Sequence, residues 1–181
     1  MTLCVVADSP ASRILSSGVQ LAKLDGMHVV AACSAKQSAF VQSLGADEIW
    51  DYTQGVEHLK ATFSAAEKQF DVVLDVIGEE LLAAAMSGGI LKKGGVVTHV
   101  MNRGTKGAEV GYTAASEAGT GPTFCTTLVQ PSGEQLARLT QLFNEHKLKL
   151  KVAMELPLEE VGKAHDIVID GHAGGKVVLT I

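Results

Sequence analysis

The sequence predicts an α/β protein: a Rossmann-like, doubly wound parallel sheet with helices on both faces, followed by a C-terminal strand-helix-strand appendage. Three observations lead there. Short apolar runs alternate with helix-periodic stretches from the N-terminus onward, the signature of βαβ units. Glycines stand where helices should stop, at Gly45 and Gly171. The chain has 181 residues, 46% of them hydrophobic and 19% charged, enough to bury one real core and too apolar for disorder.

The elements follow in order. Strands are expected at residues 3–7, 28–32, 48–50, 70–75 and 96–101. Between the first two, Ile14, Gly18, Leu21 and Ala22 recur at helical spacing, which makes this segment a crossover helix with one buried face. Further helices are expected at 36–44, 56–66 and 79–86. Residues 102–123 are rich in Gly, Thr and Ala without an apolar period, and read as a mobile loop or lid. A helix at 133–145 comes next. In residues 147–152 Leu148, Leu150 and Val152 alternate with three lysines, the pattern of a half-buried strand. Pro157 suits the first turn of a last helix, with Glu159 and Glu160 near its positive end, and residues 176–181 close the chain as a strand. Two units result: residues 1–146, a dinucleotide-binding domain, and residues 147–181, the appendage.

Charge and composition exclude several functions. A net charge of −5 leaves phosphate backbones little to bind, with no basic stripe beyond Lys147, Lys149 and Lys151, so nucleic acid is not expected. Cys4, Cys33 and Cys125 are scattered, offering neither a disulfide framework nor zinc spacing, and His28, His58, His99, His146, His165 and His172 show no metal-ligand spacing either. No zinc is expected. A reducing, intracellular setting follows, whether cytosol or organelle matrix. The N-terminal apolar run ends at Asp8, too early for a signal peptide or membrane span; any organellar targeting segment would lie outside these residues. The Gly-x-Ser-x-Gly elbow of a serine hydrolase is missing. Cys33 reads either as a thiol activated by a helix dipole or as a small buried residue.

Several words, in order, resemble the zinc-independent NADPH:quinone oxidoreductases (zeta-crystallin-like) of the medium-chain dehydrogenase/reductase superfamily. They are Val19-Gln20-Leu21-Ala22-Lys23, Leu44-Gly45-Ala46-Asp47-Glu48, Asp51-Tyr52, Phe70-Asp71-Val72-Val73-Leu74-Asp75 and Gly94-Gly95-Val96-Val97. Pro157-Leu158-Glu159-Glu160-Val161, Ala164-His165 and the stretch from Gly171-His172 to Gly175-Lys176-Val177-Val178 complete them. The resemblance covers nearly the whole chain and implies the cofactor-binding half of such an enzyme. The family's N-terminal GroES-like catalytic domain has no counterpart here. Its absence leaves residues 148–152 and 177–181 either without their usual neighbour, open to a protein partner or a second copy, or folded back on local helices.

The resemblance also carries a site. Aligned through Gln20-Leu21-Ala22-Lys23, the three glycine positions of the phosphate turn fall on Ser9, Ser12 and Leu15, and Pro10 removes a backbone donor. The pyrophosphate cradle is therefore expected to be weakened, with Ser12 as a helix cap and Arg13 as a phosphate partner or a solvated surface charge. The second strand ends in Ala32-Cys33-Ser34-Ala35-Lys36, without the carboxylate that favours NAD. Ser34 and Lys36 suit the 2′-phosphate of NADPH, or else form a helix cap and a surface lysine; Tyr52 is implied to flank the same phosphate. Ile77 and His99, after the fourth and fifth strands, approach the nicotinamide end, with His99 otherwise a surface residue. No acid–base pair is assigned. The expected function is a degenerate, non-catalytic accessory or interaction subunit, a pseudoenzyme with residual NADPH binding. The alternative is an active NADPH-dependent quinone or enone reductase whose pocket a partner chain completes.

Overall fold

Six parallel strands form the main sheet: β1 (Thr2–Val6), β2 (His28–Ala32), β3 (Glu48–Trp50), β4 (Phe70–Asp75), β5 (Leu91–His99) and β6 (Thr123–Thr126). The computed structural model describes residues 1–6, 13–55, 57–58, 61–62, 69–76, 90–99, 123–126, 130–170 and 173–181. Strand order is β3-β2-β1-β4-β5-β6, so the chain reverses its direction of travel across the sheet between β1 and β4. This is the doubly wound Rossmann order, and open sheets of this kind generally take ligands at the reversal, outside the carboxyl ends of the strands.

Burial explains why β1 and β2 are apolar at every position but their first. Leu3 and Val5 join Val29, Ala31 and Cys33 in one core, packed against Leu15, Val19 and Ala22 of helix α1 (Arg13–Leu24). On the opposite face Cys4, Val30 and Ala32 are equally buried, as a parallel sheet covered on both sides requires. Each buried Val or Leu contributes about 2 kcal/mol by removal of apolar surface from water. Leu15, at one of the three glycine positions that the resemblance implies, is taken up in this core at 4% exposure. Helix and sheet meet closely at Gly18, where an added Cβ would lie 3.3 Å from Leu74 Cδ2.

The expected helix at 36–44 is a 3-10 turn at Ala35–Gln37 followed by α2 (Ser38–Ser43). Gly45 closes it at φ 107°, a conformation that side chains rarely adopt, and an added Cβ would meet Lys23 Cγ at 3.0 Å. β5 starts at Leu91, earlier than expected, with Gly94 at φ 78° and a register shift between Phe70 and Val72 accommodating the extra residues. β6 was not expected, because four residues are too few to show a period. Of the expected helix at 56–66 only residues 57, 58, 61 and 62 are described, all helical. The expected helix at 79–86 and residues 102–122 of the expected loop lie outside the described residues.

Ser132 caps helix α3 (Gly133–Asn144), its hydroxyl accepting from the Gln135 amide at 3.2 Å. The expected strand at 147–152 is corrected to β7 (Val152–Pro157). Residues 148–151 are irregular because the Lys149 backbone is hydrogen-bonded by the Gln20 side chain and not by a strand: Gln20 Nε2 donates to Lys149 O at 3.0 Å, and Lys149 N donates to Gln20 Oε1 at 2.7 Å. Pro157 ends β7; a 3-10 turn, Leu158–Glu160, then leads into α4 (Val161–Ile169) and β8 (Lys176–Thr180). β7 and β8 pair in parallel as a separate two-stranded sheet.

Candidate functional site

Parallel strands put all their carboxyl ends on one edge of the sheet, and described site residues gather there by connectivity. Arg13 opens α1, Ser34 and Lys36 follow β2, Tyr52 follows β3, and His99 is the last residue of β5. Ser12 and Ile77, the other expected site residues, lie outside the described residues, as does the phosphate-turn segment before α1.

The corner beyond β2 and β3 is defined in most detail. Ladder pairing ends with Ala32 opposite Trp50, and one further bond, Cys33 N–H to Trp50 O at 2.9 Å, carries it a residue past the strand. The chain then tightens, Gln37 N–H donating to Ser34 O at 2.9 Å. Ser34 occupies the cap position of the turn at φ −67° and ψ 153°, but its hydroxyl makes no cap hydrogen bond. Lys36 is exposed and takes part in no ion pair among the described residues. An uncommitted hydroxyl and an ammonium two residues apart fit a phosphate monoester on this edge.

A carboxylate enters the same corner from β3. Asp51 Oδ1 accepts from Thr53 N–H at 3.0 Å and from Thr53 Oγ1–H at 2.6 Å. The Thr53 hydroxyl, then the Thr53 amide, hold Asp51 below the usual carboxylate range. Sequence reasoning gave Asp51 no role; its Asp-x-Thr spacing, typical of a side-chain-closed turn, was the available signal.

The two buried thiols, Cys4 and Cys33, are held in their protonated form. Burial, then the charge of Asp51, pushes Cys33 up to about 11, which removes the dipole-activated reading of this residue. Burial, then Asp75, pushes Cys4 up to about 12. Asp75 itself, 1% exposed, ends β4 opposite Val6 and His99. No three His, Cys, Asp or Glu side chains come together in a metal-ligating group among the described residues.

Strand order defines a protein of the Rossmann-like, doubly wound class. Residues 44–179 match the family model described as zinc-binding dehydrogenase. The chain belongs to that family, within the medium-chain dehydrogenase/reductase superfamily. It is 35% identical over 163 residues to the chloroplastic quinone-oxidoreductase QR1 of Triphysaria versicolor, covering 89% of this chain and 47% of the relative. It is 32% identical over 181 residues to the mitochondrial NAD(P)H oxidoreductase RTN4IP1 of Mus musculus, covering 90% and 44%. Among solved structures, the quinone oxidoreductase of Coxiella burnetii superposes with a TM-score of 0.77 at 25% identity, over 99% of this chain and 52% of that one. The chain thus spans about half the length of the relatives it matches.

Proposed function

We propose that this chain is a non-catalytic, NADPH-binding Rossmann subunit that works joined to another polypeptide. The observation that carries the nucleotide half is the corner beyond β2, where the Ser34 hydroxyl is free of a cap bond and Lys36 of an ion pair, on the edge where such sheets take dinucleotides. Ser12, Arg13, Tyr52, Ile77 and His99 complete the proposed cofactor contacts, and bound nicotinamide would supply hydride chemistry. Two things support the non-catalytic half. The phosphate turn lacks its three glycines, and the described thiols on the inner strands stay protonated at neutral pH.

The partner half is supported by the C-terminal unit, residues 147–181. Parallel sheets are ordinarily covered on both faces, yet Val152, Met154 and Val178 of the β7–β8 pair are exposed, as are Val168 and Ile169 on α4. A protein partner or a second copy would bury them. Among the described residues no helix is long and apolar enough to cross a membrane. The relatives named above are chloroplastic and mitochondrial proteins, which supports work in a reducing organelle matrix, as do three free cysteines.

A second reading is favoured by the relatives' names. The chain would be an active NADPH-dependent quinone or enone reductase with its pocket completed by the partner.

Titration of the purified chain with NADPH and NADH, followed by nicotinamide fluorescence and melting temperature together, tests the proposal. Saturable, NADPH-selective binding is expected, and Lys36→Glu should weaken it roughly tenfold, about 1.4 kcal/mol. No binding of either nucleotide at millimolar concentration would overturn it. NADPH consumption with a quinone or enal acceptor would establish the second reading instead.

A further inference from the structure

We infer that the groove between helices α1 and α3 binds one single-chain amphiphile with an anionic head, a fatty-acid carboxylate, on the sheet edge opposite the proposed nucleotide corner.

Its position follows from connectivity. α1 begins at Arg13, after the carboxyl end of β1, and ends at Leu24, before the chain re-enters the sheet at His28. Leu21, Leu24 and Asp25 therefore stand at the amino edge, away from Ser34 and Lys36. Together with Arg138, Leu139 and Leu142 of α3 they line one hollow of about 610 Å³, which Lys147 also borders. Small-molecule sites typically measure about 300–1,000 Å³, with apolar walls and a few polar groups, so the volume suits a small ligand. The four leucines supply the apolar wall. No residue of α3 is buried, and Leu24 and Leu139 remain 45% and 39% exposed, surface that an acyl chain laid along the groove would remove from water.

Charge selects the head group. A smaller hollow of about 230 Å³ shares Leu24 and Lys147 with the first and adds Lys23 and Lys149. Among the described lining residues these three lysines and Arg138 face a single acid, Asp25, in a chain whose net charge is −5. Lys23 and Lys147 are engaged by Asp47 and Glu145, at 2.9 and 2.8 Å. Arg138 and Lys149 take part in no ion pair among the described residues. An unpaired guanidinium beside leucines offers a planar fork to one carboxylate. The lysine-bearing wall is held in place: Lys147 N–H donates to Leu142 O at 2.9 Å, and Gln20 of α1 grips the Lys149 backbone at 3.0 and 2.7 Å. A site framed by fixed backbone loses less entropy on binding.

The test is calorimetric titration of the full chain with octanoate, decanoate and dodecanoate below micelle-forming concentrations. Decanol and decyltrimethylammonium serve as the neutral and cationic chains. Saturable binding of one decanoate per chain is expected, with affinity rising about twofold to fourfold per added methylene and decanol about tenfold weaker. Arg138→Glu should weaken decanoate about tenfold and leave decanol unchanged, whereas Leu139→Glu should weaken both. Both positions are exposed, so melting temperatures should hold; if a variant unfolds, Arg138→Gln and the ligand series on the wild type decide. Equal binding of decyltrimethylammonium and decanoate would overturn the inference, as would affinity independent of chain length or wild-type decanoate binding by Arg138→Glu. Retention on phosphatidylglycerol vesicles without binding of free decanoate would also overturn it, making the groove a membrane-contact surface instead.

Discussion

Both Asp47 oxygens lie 2.9 Å from the Lys23 ammonium, and Oδ2 accepts from the Val29 amide at 2.7 Å. His28 Nδ1 stands 3.6 Å from the same carboxylate. The Lys23 bond, and after it the Val29 amide, holds Asp47 below its ordinary 3.8. A carboxylate whose folded value is depressed stabilises the fold above its unfolded value and loses that contribution as pH falls through the folded one. Asp47→Asn should therefore cost about 1 kcal/mol at neutral pH, a figure kept small because solvent screens the pair. Below pH 3.8 the gap to wild type should close. Urea unfolding of both proteins at neutral and strongly acidic pH measures this, and a gap that persists unchanged in acid would contradict it. The places of Ser34 and Lys36 just past β2 were legible because they are found by counting from the end of an apolar run. The Asp51–Thr53 turn was missed although its Asp-x-Thr spacing is local.

Among the elements, β2, β3 and β4 stand where the sequence puts them, since each is an apolar run bounded by polar or glycine-containing turns. The strand after α3 was misplaced for a physical reason. Leucine–lysine alternation in residues 147–152 looks half-buried, but Leu148 is buried while Leu150 is 47% exposed, so the pattern has no single inner face. What orders this stretch is one amide side chain on α1, a long-range contact that periodicity does not carry. Gln20→Leu would remove both part-buried bonds to the Lys149 amide and carbonyl, at a cost of about 1 kcal/mol. The expected result is early proteolytic cutting near residues 147–151, with the remaining sheet still folded. Cutting at the wild-type rate would mean that the clamp is dispensable.

For the whole molecule, the open question is what covers β7 and β8. If a second copy does, the purified chain should self-associate in analytical ultracentrifugation, and Val152→Glu with Met154→Glu should yield monomers without a lower melting temperature. A wild type that stays monomeric at every concentration would leave a different polypeptide as the proposed occupant. The Gln20–Lys149 clamp also has a consequence for biosynthesis. Its halves are 129 residues apart, and translation makes Gln20 first. Throughout most of elongation, α1 therefore carries an amide with only Ser16 O to bind among these partners, on a surface otherwise made for burial. A chain arrested short of Lys149 leaves the Gln20 amide without the partner that the finished protein supplies.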